Sequence, residues 1–419
     1  MAEASLLRVA VVYDCLHPWT VGGEERWLRQ LAESLAARGH EVTYLTRLQW
    51  PDDEPPHIDG VRVVAVSPRE ALYGADGSRQ PAQAVRFGLG VARHLAGHRH
   101  DYDVVHTCSF PYFHLPALRA GLAGTGVPVL VDWQEVWSPA YWRSYSGVAA
   151  GTVGSLVQRA CARLTPYPLS YSRRHGARLS ALGVGRPVAT PGGLGPEPRG
   201  DAAPPAPADD PPTVVFAGRH IREKRPELVP LAVAAAQTAV PGLRGTVFGD
   251  GPERAAVLEV IAGLPAGVQV SAPGFVPAAE LAAGLAGATA LLHPSSREGF
   301  GIVVLEAAAR GTPIVVVDGP DNAAVELVTE GVNGAVAADA EPGTVAAAIA
   351  RVHAGGATMR ASTRQWYDGA APRLATSATV DALEAAYRGL SAARSRGERD
   401  EVWLAWRSAS ATRLRPREG

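Results

Sequence analysis

Apolar and polar positions follow a repeating order along the chain. A short apolar run bounded by glycine, proline or polar residues gives way to an amphipathic stretch with apolar residues three and four apart. Residues 8–13 (RVAVVY), 40–46, 61–66, 104–107 and 127–133 read as buried strands in the first half, with a short one near Val188. Residues 213–217, 243–248, 268–270, 289–293 and 312–317 read the same way in the second half. Helical spacing covers residues 24–38, 81–99, 151–163, 172–182, a segment beginning near Pro226, residues 302–310, and a final amphipathic helix at 374–390. In the first of these, Trp27, Leu28, Leu31 and Leu35 share a face and Gly39 ends the helix. Strand and helix in alternation predict an α/β fold with mostly parallel sheets, whose ligands collect outside the carboxyl ends of the strands.

Residues 191–212 (PGGLGPEPRGDAAPPAPADDPP) break this pattern with proline and glycine, and predict a stiff, extended linker. The expected organisation is therefore one Rossmann-like domain at 1–190, the linker, a second at 213–373, a crossover helix at 374–390 and a charged, poorly ordered tail at 391–419. At 419 residues the chain is long enough for two cores. A net charge of −1 provides no global field for nucleic acid or acidic lipid. No apolar run approaches the roughly 18 residues that span a bilayer, and the start runs into a strand without a signal-peptide layout, so a cytoplasmic location is expected. The helix at 81–99 carries Arg86, Arg93, His94, His98 and Arg99; a solvated face is the better reading, with peripheral contact to the inner membrane face as the alternative. Cys15, Cys108 and Cys161 are an odd number too widely spaced for a metal knuckle, and are expected to be reduced and packed.

The chemistry concentrates in the second half. The run 289–293 leads into HPSSREGFG, then the helix at 302–310, Gly311 and another strand. That order places the loop Glu298–Gly299–Phe300–Gly301 at the carboxyl end of a strand, beneath the amides of the next helix, where phosphate binds. Glu298 and Glu306 flank the turn, and an ionised carboxylate accepts two or more hydrogen bonds from a sugar diol. The chain has a single lysine, Lys224, among 40 Lys and Arg, in the loop GRHIREK after the strand 213–217. With Arg219 it offers a movable point charge beside a planar fork, a pairing suited to a diphosphate. GDGP at 249–252 has Arg254 where a dinucleotide fingerprint needs its third glycine, so a nicotinamide cofactor is disfavoured. Asp101–Tyr102–Asp103 precedes its strand, at the amino end, and reads as a surface turn; no catalytic metal is expected.

Glu298-x7-Glu306 with GFG between the acids, followed by Gly311–Thr312–Pro313, resembles the signature of the family 4 retaining glycosyltransferases. The resemblance implies the GT-B fold, two doubly wound Rossmann-like domains facing a central cleft. It implies that Glu298 meets donor-sugar hydroxyls, Glu306 the ribose, and the amides around Gly301 and Ile302 the diphosphate. Arg219 and Lys224 match its diphosphate clamp, and Gly274–Phe275–Val276 its base-contacting loop. Gly22–Gly23 before an amphipathic helix matches its first β-α-β unit, beside the donor phosphates or the acceptor. The implied activity is metal-independent, retaining transfer from a nucleoside-diphosphate sugar, UDP- or GDP-type, to an acceptor hydroxyl. The sugar nucleotide is a co-substrate and no cofactor is expected. Catalytic weight falls on Glu298, Arg219 and Lys224.

On the acceptor side the candidates are His17, His106, Gln134 and Glu135. The resemblance would put histidine where Gln134 stands, and glutamine cannot take a proton. His106 reads equally as an acceptor contact or a satisfied core histidine. The five aromatics from Trp133 to Tyr145 suit a sugar face or an apolar acceptor, or cover a domain edge. Specialised metabolites, lipid-linked molecules and glycans all remain possible acceptors. A sugar-nucleotide epimerase on the same fold and a non-catalytic sugar-nucleotide-binding protein are the competing readings.

Overall fold

A computed structural model describes residues 6–51, 54–72, 80–198 and 205–413. The chain forms two compact units, Met1–Gly192 together with Ser377–Gly419, and Gly193–Thr376.

The first unit opens with β1 (Arg8–Val12), α1 (Gly23–Ala37), β2 (Glu41–Arg47) and β3 (Val61–Ser67). Next come α2 (Pro81–His98), β4 (Val104–Cys108) and α3 (His114–Gly121). β5 (Val129–Asp132), α4 (Pro139–Ser146), α5 (Val148–Leu164), β6 (Tyr167–Leu169) and α6 (Arg173–Ala181) follow. Its sheet has the order β3-β2-β1-β4-β5-β6, all parallel. The chain works outward from β1 in one direction, then returns to build β4 on its other side. The β1/β4 border is therefore the topological switch point, where two loops part and leave a crevice.

The glycines of α2 are contacts rather than gaps in its apolar face. A Cβ on Gly88 would lie 2.6 Å from the Phe113 carbonyl oxygen, and one on Gly90 would overlap the carbonyl of Val66. They let the α2 backbone press against the start of α3 and the end of β3. The acidic pair before β4 has structural partners: Asp103 binds Arg8 at 2.8 Å and Asp101 binds His98 at 2.8 Å. Among the described residues no cluster of three His, Cys, Asp or Glu is arranged to hold a metal ion, and no helix is long and apolar enough to cross a membrane. All three cysteines are buried and outside any disulfide.

The second unit runs β7 (Thr213–Ala217), α7 (Leu228–Ala236), β8 (Arg244–Phe248), α8 (Arg254–Ala262), β9 (Gln269–Gly274), α9 (Ala278–Gly287) and β10 (Ala290–His293). It continues with β11 (Arg297–Glu298), α10 (Ile302–Ala308), β12 (Ile314–Val317), β13 (Asp321–Asn322), β14 (Gly334–Ala337) and α11 (Pro342–Leu374). The main sheet is β14-β12-β10-β7-β8-β9, and β11 pairs with β13 in a separate two-stranded ribbon. Here the switch point lies between β7 and β10. Helix α11 has no counterpart in the sequence reading. It bends at Gly356, whose φ of 48° falls in the left-handed region, so it is two helical segments rather than one long amphipathic rod.

The segment read as a linker is, from Gly193 onward in its described parts, built into the second unit; residues 199–204 lie outside the described residues. Gly195 forms a parallel bridge with Ala375, and Gly193 donates to the Arg373 carbonyl at 3.1 Å. A Cβ on Gly193 would lie 2.6 Å from the Leu374 carbonyl oxygen, so glycine permits this pairing. The buried Arg360 fixes the proline-rich part by donating to Ala206 at 2.8 Å, while its other nitrogens satisfy the carbonyls of Ala286 and Ala288 at the end of α9.

From Ser377 the chain returns to the first unit as α12 (Thr376–Ala392) and α13 (Arg396–Arg413). The expectation of a poorly ordered tail is thereby corrected for residues 391–413; residues 414–419 lie outside the described residues. Helix α13 docks through Trp403, fully buried, whose Nε1 donates to the Pro187 carbonyl at 2.9 Å and whose ring lies 5.2 Å from that of Tyr167. Trp406 stacks beside it and donates to Ala382 at 2.8 Å. Two tryptophans outweigh the charge count, because each buries a large apolar area and satisfies its one donor. Trp403→Ala should cost about 3 kcal/mol of first-unit stability by cavity formation, read as a lowered denaturation midpoint. An unchanged midpoint would mean that α13 is not docked.

Candidate active site

The site of the second unit is set by two loops at the β7/β10 switch point. After β7 the chain passes Arg219, which is exposed, and makes one tight turn over Arg222–Lys224. The turn closes through Lys224 N–H donating to Ile221 at 2.9 Å and is followed by Arg225 in the left-handed region, φ 47°. After β10 the chain passes Ser295 and Ser296 into β11. Ser296 ties the loops together, donating its N–H to the Glu223 carbonyl at 2.8 Å and its hydroxyl to the same oxygen at 3.2 Å. The result is an ion pair between Lys224 Nζ and Glu298 Oε2, with the two side chains 19% and 13% exposed.

His293, the last residue of β10, was not among the expected site residues. Its Nε2 lies 2.7 Å from Glu298 Oε2, and Ser295 Oγ lies 3.2 Å from the same nitrogen. Its position at a strand end, five residues before the acid, was the available signal. Burial alone would raise the Glu298 carboxyl, but the Lys224 ammonium and the His293 hydrogen bond outweigh it and hold the group well below its ordinary range. Burial lowers His293, so the ring is neutral near pH 7.

The turn after Glu298 requires glycine at one point, since Gly301 has φ 98° at the start of α10. Phe300 is buried, while Ile302 and Glu306 are half-buried. Beside Glu298, its register partner in β13 is Asn322, one of only two asparagines in the chain. It is fully buried, donates to Ser295 at 3.0 Å and Val317 at 2.8 Å, and accepts from the Ala324 N–H at 3.1 Å. Phe275 follows β9 at the same edge of the sheet and is 64% exposed, with Val276 half-buried beside it. Lys224 and Glu298 are thus in direct contact, whereas Arg219, Phe275 and Glu306 approach the edge from separate elements.

The corresponding edge of the first unit is organised around Asp132, the last residue of β5 and fully buried. Its Oδ2 accepts from Trp27 Nε1 at 2.8 Å and Tyr171 OH at 3.0 Å, and lies 3.0 Å from His106 Nε2. His106 Nδ1 bonds Tyr387 of α12 at 2.7 Å. His106 is 0% exposed, so its candidacy as an acceptor contact is corrected: it is a core histidine joining α12 to the sheet. His17 is half-buried, and the carbonyl of its residue accepts from Arg29 at 2.9 Å.

Gly22 precedes α1, and a side chain there would overlap the Glu25 carboxylate; Gly23 begins the helix and is exposed. Gln134 is half-buried, with its Nε2 buried and without a hydrogen bond, while Glu135 accepts from Trp137 Nε1 at 2.8 Å. Sequence reasoning also missed Glu24. It shares a face of α1 with Trp27, and burial together with the Glu25 and Asp132 charges pushes its carboxyl well above the ordinary range. The five aromatics divide: Trp133 and Trp142 are core, while Trp137, Tyr141 and Tyr145 form an outer cluster, with Trp137 edge-to-face at 4.9 and 5.1 Å from the two tyrosines.

Comparison with known proteins identifies the family. Residues 201–366 match the family model for glycosyl transferases group 1, and residues 22–193 that for a glycosyl transferase 4-like domain. The D-inositol 3-phosphate glycosyltransferase of Rhodococcus erythropolis is 30% identical over 71% of this chain and 71% of its own. The chain belongs to the group 1 glycosyltransferases. The enzyme of the same name from Segniliparus rotundus is 28% identical over 91% of this glycosyltransferase and 89% of its own length. Among solved structures, sucrose-phosphate synthase from Thermosynechococcus elongatus superposes with a TM-score of 0.73 at 20% identity, covering 93% of this chain and all (100%) of its own. Anabaena HepE, solved with UDP and glucose, gives 0.63 at 18% identity over 90% and 98%. The fold is GT-B.

The electrostatics of the glycosyltransferase's second unit give a signed pH dependence. Glu298 sits below its ordinary value of 4.5, so its pairing stabilises fully above that pH and is lost as the pH falls further. Between about pH 5 and about pH 3 the wild type should lose more stability than Glu298→Gln, which has no proton to take up there. Parallel denaturation profiles would remove this assignment.

Proposed function

We propose that this glycosyltransferase transfers a sugar from a nucleoside diphosphate, UDP- or GDP-type, to an acceptor hydroxyl with retention of anomeric configuration. The observation that carries the reading is the meeting of Lys224 and Glu298 at the switch point of the second unit. There, Arg219 and Lys224 hold the diphosphate and neutralise the charge that grows as it leaves, with the Gly301–Ile302 amides beside them. Glu298 presents its carboxylate to sugar hydroxyls, Glu306 to the ribose, and Phe275 and Val276 pack on the base. The bond from the anomeric carbon to the phosphate oxygen breaks as the acceptor oxygen bonds to the same face, through an oxocarbenium-like state. The acceptor proton passes to a phosphate oxygen, so no protein nucleophile takes part. Two protein cations supply the charge that a divalent ion would otherwise provide.

The acceptor belongs to the first unit. Gln134 and Glu135 follow β5 there, with Glu24 near the end of the same strand and the Trp137, Tyr141 and Tyr145 cluster beyond. Aromatic faces and hydrogen-bonding groups suit a specialised metabolite or a lipid-linked sugar better than a long polar glycan. A sugar-nucleotide donor also carries a cytoplasmic location, with membrane contact at most peripheral.

Thermal shift against UDP-, GDP-, ADP- and TDP-sugars should select one donor class, and a flat response to all of them would remove the proposal. With the selected donor, Lys224→Met and Arg219→Ala should each lower kcat/KM about 100-fold, near 3 kcal/mol of transition-state stabilisation. Product NMR should show the donor's anomeric configuration; inversion would overturn the retaining assignment. Turnover to free nucleotide and a glycal without acceptor would favour epimerisation instead.

A further inference from the structure

Lys224 and Glu298 occupy each other, yet donor binding requires the first on the diphosphate and the second on the sugar. His293 supplies the missing partner. It is 2% exposed at the end of β10, and its Nε2 approaches the same carboxylate oxygen that receives Lys224, at 2.7 Å. A ring nitrogen facing a carboxylate at this distance carries the proton, since two acceptors would repel. The other nitrogen, Nδ1, is buried without a hydrogen bond, as the lone-pair nitrogen of a neutral ring would be. The two holds on Glu298 differ in mechanics. The histidine is a short, rigid side chain anchored in the sheet, whereas Lys224 reaches from a loop on a flexible four-carbon stem.

A diphosphate carries more negative charge than one carboxylate and competes for the ammonium. When Lys224 leaves, Glu298 loses its cation but keeps the histidine donor. We propose that His293 is the positioning residue that holds Glu298 when the donor diphosphate draws Lys224 away, so that filling the phosphate subsite opens the sugar subsite. The inference rests on the donor reading above. It makes nucleotide and sugar binding cooperative, and it keeps free monosaccharide out of the empty enzyme, because the carboxylate that would bind it is already paired.

The test uses the full chain with UDP, UDP-glucose and glucose, or the corresponding GDP set if the donor screen selects it. Wild-type enzyme should bind free glucose at least about tenfold tighter with saturating UDP than without it. His293→Leu should leave the Kd for UDP within about twofold, shrink the preference for UDP-glucose over UDP about tenfold, and lower kcat; His293→Gln, which keeps an N–H donor, should restore most of both. Retained UDP binding shows that the variant is folded. Equal losses of UDP and UDP-glucose affinity would mark His293 as merely structural and overturn the inference, as would glucose affinity indifferent to UDP in the wild type. If the nucleotide sugar binds normally while those results fail, only this inference falls. If neither nucleotide set binds, the donor reading falls with it.

Discussion

An ammonium and a carboxylate 74 residues apart in sequence meet because a parallel sheet reverses its direction of growth between β7 and β10. Once β8 and β9 have been added on one side and β10 on the other, the loops after β7 and β10 are neighbours at one edge, and both point away from the strands. Topology makes the meeting possible, and the two bonds from Ser296 to Glu223 fix its register. Above the ordinary carboxylate range the pair stabilises the folded chain, because Lys224 and His293 together outweigh the desolvation of Glu298. Its weight is electrostatic preorganisation: a cation and an anion are placed in advance where phosphate and sugar hydroxyls would each need one.

The first unit applies the same topology to a different end. At the end of β5 the carboxylate of Asp132 lies in the core and is occupied by an indole and a phenol, with an imidazole alongside. Those partners come from α1, β4 and the segment after β6, and Tyr387 extends the chain of contacts to α12. One acid thereby ties three parts of the unit and the returning C-terminal helix to the end of β5. Glu24, one helical turn from Trp27, lies in the field of this buried charge and of Glu25, and so favours its neutral form. A neutral carboxyl donates as well as accepts. Gln134, which the family resemblance would make a histidine, lies two residues after Asp132 with its amide nitrogen buried and without a hydrogen bond.

Most strands and the donor motif could be read directly, and the reasons are physical. Strands buried on both faces are continuous apolar runs, and a loop–helix turn built on Glu298 and Gly301 uses few residue types at fixed places, with Lys224 standing out as the single lysine. What stayed hidden depends on partners far off in sequence. α3 and α4 are eight residues each and carry little periodicity of their own. α11 is broken at Gly356, which blurs its apolar stripe. α13 looked like a charged tail because its two tryptophans only count as core once Tyr167 and Pro187 are known to lie beneath them. The linker reading failed likewise: the prolines were visible, but not the buried Arg360 that holds Ala206. Asp132, His106 and His293 share this character, each a polar residue within or at the end of an apolar run whose role is decided by what the neighbouring strand brings beside it.

The asymmetry between the two units follows from the ligands they would meet. A diphosphate always presents the same charge and oxygen spacing, so the residues that would hold it are constrained in type and leave a pattern. An acceptor hydroxyl imposes no such constraint, and its surroundings are free to differ wherever the fold itself does not need a residue. In this chain the fold needs Asp132, His106 and Trp27, which are buried, with Trp27 donating to Asp132 and His106 bonded to Tyr387. It does not need a glutamine at Gln134, whose amide nitrogen is buried without a hydrogen bond, nor an acid at Glu24, whose charge the surroundings oppose. Both sit against their local energetics, so folding offers no account of either, in contrast to the bonded scaffold around Asp132.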